Sequence, residues 1–237
     1  MFERTALLLQ EEGLKKLQRS KVLVIGVGGV GSIAVESLAR SGVGEIVIVD
    51  NDTIDVSNLN RQVQTNMSNV GKSKVIEMVN HIHRINEDIN ITAHELFFSK
   101  DVDYIFEGVD FVIDAIDTLT SKCDLIELCL QKEIPFISSL GMGNRIDPTQ
   151  VIATTLDKTS YDPLAKILRK MARDRHLDLK KIPVAFSLEQ PITQNKILKE
   201  DGVTRKQKMP PASMFLVPPA SGLTCAAECI QYLVSKD

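Results

Sequence analysis

Short apolar runs alternate with amphipathic stretches through the first 140 positions of the chain. Four runs predict strands that are buried on both faces of a parallel sheet: 22–25, 46–49, 111–114 and 135–138. Apolar residues at helical spacing predict four helices: 5–18, from the glycine-rich turn to 40, 72–85 and 119–132. A further short strand is expected near 89–94. This alternation predicts an α/β fold with a Rossmann-like, doubly wound, mostly parallel sheet.

The pattern changes after residue 140. Four more elements are predicted there: a strand over 150–156, a basic helix over 163–176, a strand near 213–217 and a helix over 220–234. The segment 188–212 contains three prolines and five Lys or Arg residues, and we expect it to form a surface loop. We therefore expect a single domain over 1–237, in which 1–140 binds the nucleotide and 141–237 is a basic, substrate-binding α/β extension.

The composition is ordinary for a globular protein, with 43% apolar and 25% charged residues and no tryptophan. No apolar run reaches the roughly 18 residues of a membrane span, and the N-terminus enters an amphipathic stretch rather than a signal peptide. We expect a cytoplasmic protein without a membrane partner. The cysteines form no C-x-x-C pair, so no zinc site is expected; they are Cys123, Cys129, Cys225 and Cys229.

Charge is distributed unevenly along the chain, whose net charge is −3. Residues 158–208 contain 13 Lys or Arg against 6 Asp or Glu. A basic segment within an acidic chain suggests a polyanionic partner, although a solvated helix face would have the same composition.

A glycine-rich turn follows the first predicted strand. Gly26, Gly28 and Gly31 satisfy the pattern G-x-G-x-x-G, and Asp50 stands 24 positions after the first glycine. The glycines permit a tight turn and close approach of a phosphate to the backbone, while Asp50 is placed to bind ribose hydroxyls. This pattern fits a dinucleotide or a mononucleotide equally well.

Two cations favour chemistry at a phosphate. Arg61 and Lys74 follow the second strand, where a nicotinamide enzyme has no general need for them, and nucleophilic attack at an α-phosphorus concentrates charge that cations stabilise. Gly29 gives further room for a triphosphate. Asp117 follows the strand 111–114 and is suited to bind Mg²⁺ or to steer an attacking carboxylate.

The ordered motifs resemble those of the ubiquitin-activating-enzyme-like superfamily. They are Gly26–Gly31, 50–52, 57–62, 70–74 and 114–117. The resemblance implies a MgATP site formed by the glycine turn and by these side chains: Asp50, Asp52, Asn58, Arg61, Lys74 and Asp117. It implies that Arg61, Lys74 and Asp117 are catalytic. Arg4 looks like the arginine that such homodimers insert into the neighbouring subunit's site.

The second half resembles the tRNA threonylcarbamoyladenosine dehydratases of this superfamily. The resemblance lies in 134–139, 141–144, 147–149, 157–165 and 186–189, and in the absence of paired C-x-x-C motifs. It implies ATP-dependent activation of the threonyl carboxylate beside the tRNA anticodon, followed by cyclisation with loss of water. The basic segment would then contact tRNA phosphates; the candidates are Lys158, Lys166, Arg169, Lys170 and Arg173.

Two alternatives remain open in the sequence. Adenylation of a ubiquitin-like sulfur carrier is the first, although Thr118 and Lys122 replace the Asn and Arg that are common in those enzymes. A nucleotide-binding scaffold without turnover is the second. A cysteine desulfurase or sulfur acceptor is left open as a partner, as is a transthiolation role for Cys123 or Cys129.

Overall fold

The computed structural model describes residues 1–193 and 211–236. In this part of the chain, seven strands form one sheet: β1 Lys21–Ile25, β2 Glu45–Val49, β3 Asn90–His94, β4 Phe111–Asp114, β5 Phe136–Ser139, β6 Val151–Thr155 and β7 Pro183–Ser187. Six α-helices accompany it within the described ranges: α1 Glu3–Arg19, α2 Gly31–Ser41, α3 Lys74–His83, α4 Leu119–Gln131, α5 Pro163–Asp174 and α6 Val217–Ser235.

The sheet order is β3-β2-β1-β4-β5-β7-β6, and only the edge strand β6 is antiparallel to its neighbour. The order reverses between β1 and β4, so a crevice opens outside their carboxyl ends, as in other doubly wound sheets. Ile25 pairs with Val49 on one side and with Asp114 on the other. Residues that follow these three strands therefore meet at one edge.

Both faces of the sheet are covered. Val22 and Val24 belong to one apolar cluster, which α2, α3 and α6 complete, whereas Leu23 belongs to a second cluster with residues of α4 and α5. Successive side chains of a strand point to opposite faces, so a strand covered on both faces must be apolar throughout. This explains the unbroken apolar runs in the sequence and confirms the predicted fold class.

Most predicted elements are confirmed to within a few residues. Helix α1 is interrupted at Gln10, whose φ of 63° and ψ of 165° are non-helical. The strand expected near 213–217 is wrong, because helix α6 begins at Val217 with two prolines in its first turn, where a missing backbone N–H costs nothing. Strand β7 was not predicted. Residues 194–210 of the expected loop lie outside the described part of the chain.

The extension adds to the same sheet rather than forming a second one. Strand β7 pairs with β5, and β6 forms the edge beyond it. Helix α6 returns to pack on α2, and a Cβ atom at Gly222 would lie 2.4 Å from the Val30 carbonyl oxygen. Glycine is therefore required where these helices touch. Among the described residues, no helix is both long and apolar enough to span a bilayer.

Candidate active site

A cleft of about 820 Å³ opens at the carboxyl ends of β1, β2, β4 and β5. Its lining includes three cationic side chains and four carboxylates: Arg61, Lys74, Arg145, Asp50, Asp52, Asp117 and Asp162. One end is formed by the glycine turn and the segments after β2, and the other by residues 139–145 and 162–167. The cleft therefore joins the nucleotide-binding part to the extension.

The glycine turn leaves backbone groups open to the cleft. Gly26 has a φ of +91°, and a Cβ atom at Gly31 would lie 1.8 Å from the Gly26 carbonyl oxygen, so both positions require glycine. A Cβ atom at Gly28 would meet nothing closer than the Gln62 Nε2 atom at 3.9 Å. Val30 at the N-cap of α2 provides no side-chain cap. Free N–H groups and the helix dipole thus favour an anion beside Gly28 and Gly29.

Asp50 holds the glycine turn against β2. Its Oδ2 accepts the backbone N–H of Val27 at 2.7 Å, and its Oδ1 accepts that of Asp52 at 2.9 Å. Charge-assisted bonds of this kind fix both segments relative to each other. Asp50 also lines the cleft.

Lys74 is nearly buried at the start of α3, and its ammonium faces the cleft edge. The Nζ atom lies 2.7 Å from Oδ2 of Asp52, whose side chain is 60% exposed, whereas that of Lys74 is 8% exposed. The Lys74 backbone N–H also binds the Asp52 carbonyl oxygen at 3.0 Å. An ammonium paired with an exposed carboxylate can transfer to a phosphate oxygen at little cost, because water solvates the carboxylate that it leaves.

Arg61 follows a short 3₁₀ turn over Val56–Asn58. Its guanidinium donates to the Ser57 carbonyl oxygen and to Oδ1 of Asn60. Asn58 is 8% exposed and its Oδ1 accepts the Asp55 backbone N–H at 3.1 Å, which completes a capping box. Asn58 therefore shapes the turn that carries Arg61, and both residues line the cleft.

The two acidic residues after β4 differ in burial. Asp114 is fully buried and its Oδ2 lies 2.7 Å from the Lys122 Nζ atom. Asp117 is exposed at the cleft, and its Oδ1 accepts a long hydrogen bond from the Thr118 hydroxyl at 3.5 Å. Asp114 thus organises the loop, while Asp117 is available to a ligand. Lys122, noted in the sequence only as a departure, is the structural partner of Asp114.

The sequence did not predict which residues of the extension line the cleft. Asp162 is 3% exposed, and its Oδ2 accepts the Gly141 backbone N–H at 3.0 Å while its Oδ1 caps α5. Arg145 is also 3% exposed and donates to the carbonyl oxygens of Gly141, Gly143 and Glu189. Burial lowers the pKa of Arg145, while Asp162 and Glu189 act in the opposite direction. The Asp-Pro helix start at 162–163 was the available indication for Asp162.

Four of the five candidate RNA-binding cations are exposed. Lys166, Lys170 and Arg173 lie on one face of α5, and Lys158 precedes it. Arg169 is partly buried and donates to the carbonyl oxygen and hydroxyl of Thr159, so its guanidinium stabilises the turn before α5. Arg4 is exposed on α1 and is not among the residues that line the described cleft.

All four cysteines are buried. Burial raises the pKa of each thiol, to about 12 for Cys225, and raises that of Cys129 further. A thiolate is the nucleophilic form of cysteine, and these environments disfavour it. Cys225 and Cys229 lie in α6 and pack in the core, as expected for small apolar side chains.

Comparisons with known proteins agree with this geometry. The model of the ThiF family matches residues 2–237. The tRNA threonylcarbamoyladenosine dehydratase of Bacillus subtilis is 40% identical over 98% of this chain and 94% of that protein. The Escherichia coli protein of the same name is 41% identical over 71% of this chain and 64% of its own length.

Two solved structures with bound ATP are similar to this chain in fold. The crystal structure of the E. coli tRNA N6-threonylcarbamoyladenosine dehydratase TcdA in complex with ATP has a TM-score of 0.88 and 32% identity, covering 99% of this chain and 93% of that one. The E. coli protein MccB with ATP shares the fold, with a TM-score of 0.66, 21% identity and 98% and 62% coverage of the two chains.

Proposed function

The chain belongs to the ThiF family, and we propose that it is an ATP-dependent tRNA threonylcarbamoyladenosine dehydratase. One observation carries the proposal. A single cleft combines an open glycine turn, the cations Arg61 and Lys74, and a wall supplied by the extension. The similarity to the B. subtilis dehydratase spans 98% of the chain, so it includes that wall as well as the nucleotide site.

The proposed chemistry has two steps. An oxygen of the threonyl carboxylate attacks the α-phosphorus of ATP, the bond to the β-phosphate oxygen breaks, and pyrophosphate leaves. An atom of the carbamoyl group then attacks the acyl carbon, that group loses one N–H proton, and AMP leaves with the carboxylate oxygen. Relative to the starting nucleoside, the cyclised product has lost one water. Neither step requires a cysteine nucleophile.

The chain's own groups stabilise the charge that develops in the first step. Backbone N–H groups at Gly28 and Gly29 and the N-terminus of α2 receive phosphate oxygens. Lys74 exchanges Asp52 for a phosphate oxygen, and Arg61 provides a second cation beside it. Preorganised donors and cations of this kind each contribute about 10²–10³-fold to a rate. Asp50 holds the turn that bears the glycines.

Mg²⁺ fits the exposed carboxylate of Asp117. Proteins commonly hold this ion through one or two carboxylates together with substrate phosphates. Asp117 lines the cleft, and the described residues contain no group of three or more His, Cys, Asp and Glu residues that could hold a metal alone. When bound, the ion would neutralise phosphate charge.

We also propose that the protein acts as a homodimer in which Arg4 enters the neighbouring site. Arg4 does not line its own described cleft, and Leu7 and Leu8 on the same helix are 75% and 80% exposed. Exposed leucines beside it suit an interface. Mixed dimers of Arg4→Ala and Lys74→Met subunits should regain activity, whereas no recovery would contradict an action in trans.

We propose that a basic surface on and just before α5 binds tRNA phosphates. It consists of four exposed cations: Lys158, Lys166, Lys170 and Arg173. A cysteine desulfurase or sulfur acceptor remains a further proposed partner. Because the four thiols are buried, such a partner would use the surface rather than these cysteines.

The decisive experiment measures the mass of one nucleoside. The protein is incubated with ATP and tRNA that carries threonylcarbamoyladenosine, and the tRNA is then digested and analysed by mass spectrometry. We expect ATP-dependent loss of one water, with AMP and pyrophosphate released in equal amounts. An unchanged nucleoside, with pyrophosphate exchange stimulated instead by a ubiquitin-like protein ending in Gly-Gly, would overturn the proposal.

A further inference from the structure

Tyr161 displays its ring to solvent at the rim of the cleft. Its relative exposure is 64%. The residues that follow it, Asp162, Pro163 and Leu164, line the cleft, and Ile167 one turn later does so too. A large and mostly exposed aromatic side chain thus directly precedes residues of the cleft wall in the chain.

The backbone of Tyr161 adopts an unfavourable conformation. Its φ is 52°, in the left-handed region that bulky residues rarely occupy. Glu133 and His176 share this geometry, but they follow the ends of α4 and α5, where it is common. Tyr161 instead precedes a helix. Glycine or asparagine would fit this position with less strain, so local folding does not explain the aromatic residue.

Buried contacts on both sides hold this conformation. Thr159 is 8% exposed, its hydroxyl donates to the Leu156 carbonyl oxygen at 2.8 Å, and Arg169 donates to its carbonyl oxygen at 2.9 Å. On the other side, Asp162 binds the N–H groups of Gly141 and α5. The ring is therefore presented from a fixed backbone rather than from a free loop.

Two exposed lysines flank Tyr161 along the chain, together with one exposed carboxylate, Asp157, which accepts the Thr155 hydroxyl. Lys158 and Lys166 lie three residues before it and five residues after it, both are exposed, and neither makes an ion pair within the described residues. Lys170 continues the same face of α5. An exposed ring among unpaired lysines is the combination that binds single-stranded nucleic acid, where bases stack on aromatic rings and lysines contact phosphates.

We propose that Tyr161 is a stacking platform for an unpaired base of the RNA, next to the nucleotide that enters the cleft. This inference rests on the proposed function for the identity of the polyanion. It adds a binding subsite of defined chemistry, a nucleobase π-face, to the phosphate contacts of the lysines. The ring is a binding group and takes no part in the reaction.

A tryptophan probe tests the contact directly, because the chain contains no tryptophan. In Tyr161→Trp, unmodified anticodon stem-loop RNA should quench the single fluorophore saturably, and the affinity should fall as salt is raised. Tyr104→Trp is the matched control, since Tyr104 is 59% exposed and lies in the separate turn Asp103–Phe106. Equal quenching at both positions, or none at Tyr161, would overturn the proposal.

Substitutions at Tyr161 distinguish a role in RNA binding from a role in folding. Tyr161→Ala should raise the KM for tRNA by about tenfold, within the range for loss of one stacked base, whereas Tyr161→Phe should preserve it. Tyr161→Gly should bind RNA as weakly as Tyr161→Ala, yet unfold at an equal or higher temperature because glycine accepts the backbone angle. The affinity for ATP should not change in any of them. A purely structural role would leave the KM of the glycine variant unchanged.

The two proposals fail in different ways. If wild-type protein does not dehydrate the modified tRNA but the probe is still quenched by RNA, the proposed activity is wrong and the base platform stands. If wild-type protein dehydrates the tRNA and Tyr161→Ala keeps the wild-type KM, the platform is wrong and the activity stands.

Discussion

The Nζ atom of Lys122 lies 2.7 Å from Oδ2 of Asp114, and neither side chain is exposed to solvent. The Ser138 hydroxyl donates to the same oxygen at 2.6 Å, and Oδ1 accepts the Ile116 backbone N–H at 3.0 Å. This pair fixes the chain after β4 beneath the glycine turn. The exposed Asp117 lies in the same loop, so the buried ion pair holds the segment that carries this cleft-lining carboxylate.

Replacing Lys122 by Met should therefore destabilise the fold. The variant leaves the Asp114 charge buried without its cation, which typically costs about 3–5 kcal/mol. Urea unfolding measures the loss. Lys132→Met is the control, because the Lys132–Asp103 pair is largely exposed and should contribute less than about 1 kcal/mol. Similar losses in both variants would contradict the structural role given to the buried pair.

Two substitutions in the glycine turn should distinguish a glycine needed for folding from one needed for nucleotide binding. In Gly31→Ala the new Cβ atom would lie 1.8 Å from the Gly26 carbonyl oxygen, so both the thermal stability and the affinity for ATP should fall. In Gly28→Ala the new Cβ atom faces open space in the cleft, so the melting temperature should stay near that of wild type while the ATP affinity falls. Calorimetric titration and thermal scans distinguish them, and equal melting temperatures would argue against the close contact.

Lys74 and Lys72 provide a matched pair of lysines two positions apart. Lys74→Met removes a cation from the cleft and should lower kcat/KM for the dehydration by about 10²–10³-fold. Lys72, whose Nζ atom lies 3.9 Å from Glu77 and whose side chain is 60% exposed, does not line the described cleft, so Lys72→Met should keep near wild-type activity. Comparable activity in the two variants would remove Lys74 from the proposed chemistry.

Asp162 and Asp178 both cap a helix, but only Asp162 also reaches the cleft wall. Asp162→Ala loses a cap and the bond to the Gly141 N–H, and should destabilise the protein by about 2 kcal/mol and raise the KM for tRNA. Asp178→Ala loses only the cap of an exposed 3₁₀ turn and should change the KM little. An unchanged KM for tRNA in Asp162→Ala would separate this wall from substrate binding.

The fold was largely predictable because its central strands are covered on both faces. Unbroken apolar runs and the glycine turn sufficed to predict β1, β2 and α2. The apolar residues within 213–217 predict a strand, although Pro218 and Pro219 can occupy the first turn of a helix. Strand β7 has only three apolar residues, Val184 to Phe186, between Pro183 and Ser187, and so short a run does not indicate a strand by itself.

The candidate site was predictable only where its residues follow the central strands β2 and β4. Asp50, Arg61, Lys74 and Asp117 could be assigned from motifs in the first half. The Arg145 and Asp162 contacts join positions separated by 44 and 21 residues, across a wall whose packing no local pattern specifies. Spacing along the chain cannot indicate that a buried guanidinium binds three carbonyl oxygens.

The cysteines should be inert in the folded protein. Burial raises the pKa of each thiol, to about 12 for Cys225, so at pH 8 the neutral and less reactive form predominates. Iodoacetamide should modify none of the four in native protein at pH 8 and all four after unfolding in urea, as counted by intact-mass spectrometry. Cys123→Ala should keep the dehydration rate. Rapid native alkylation together with loss of activity in Cys123→Ala would instead favour a thioester route.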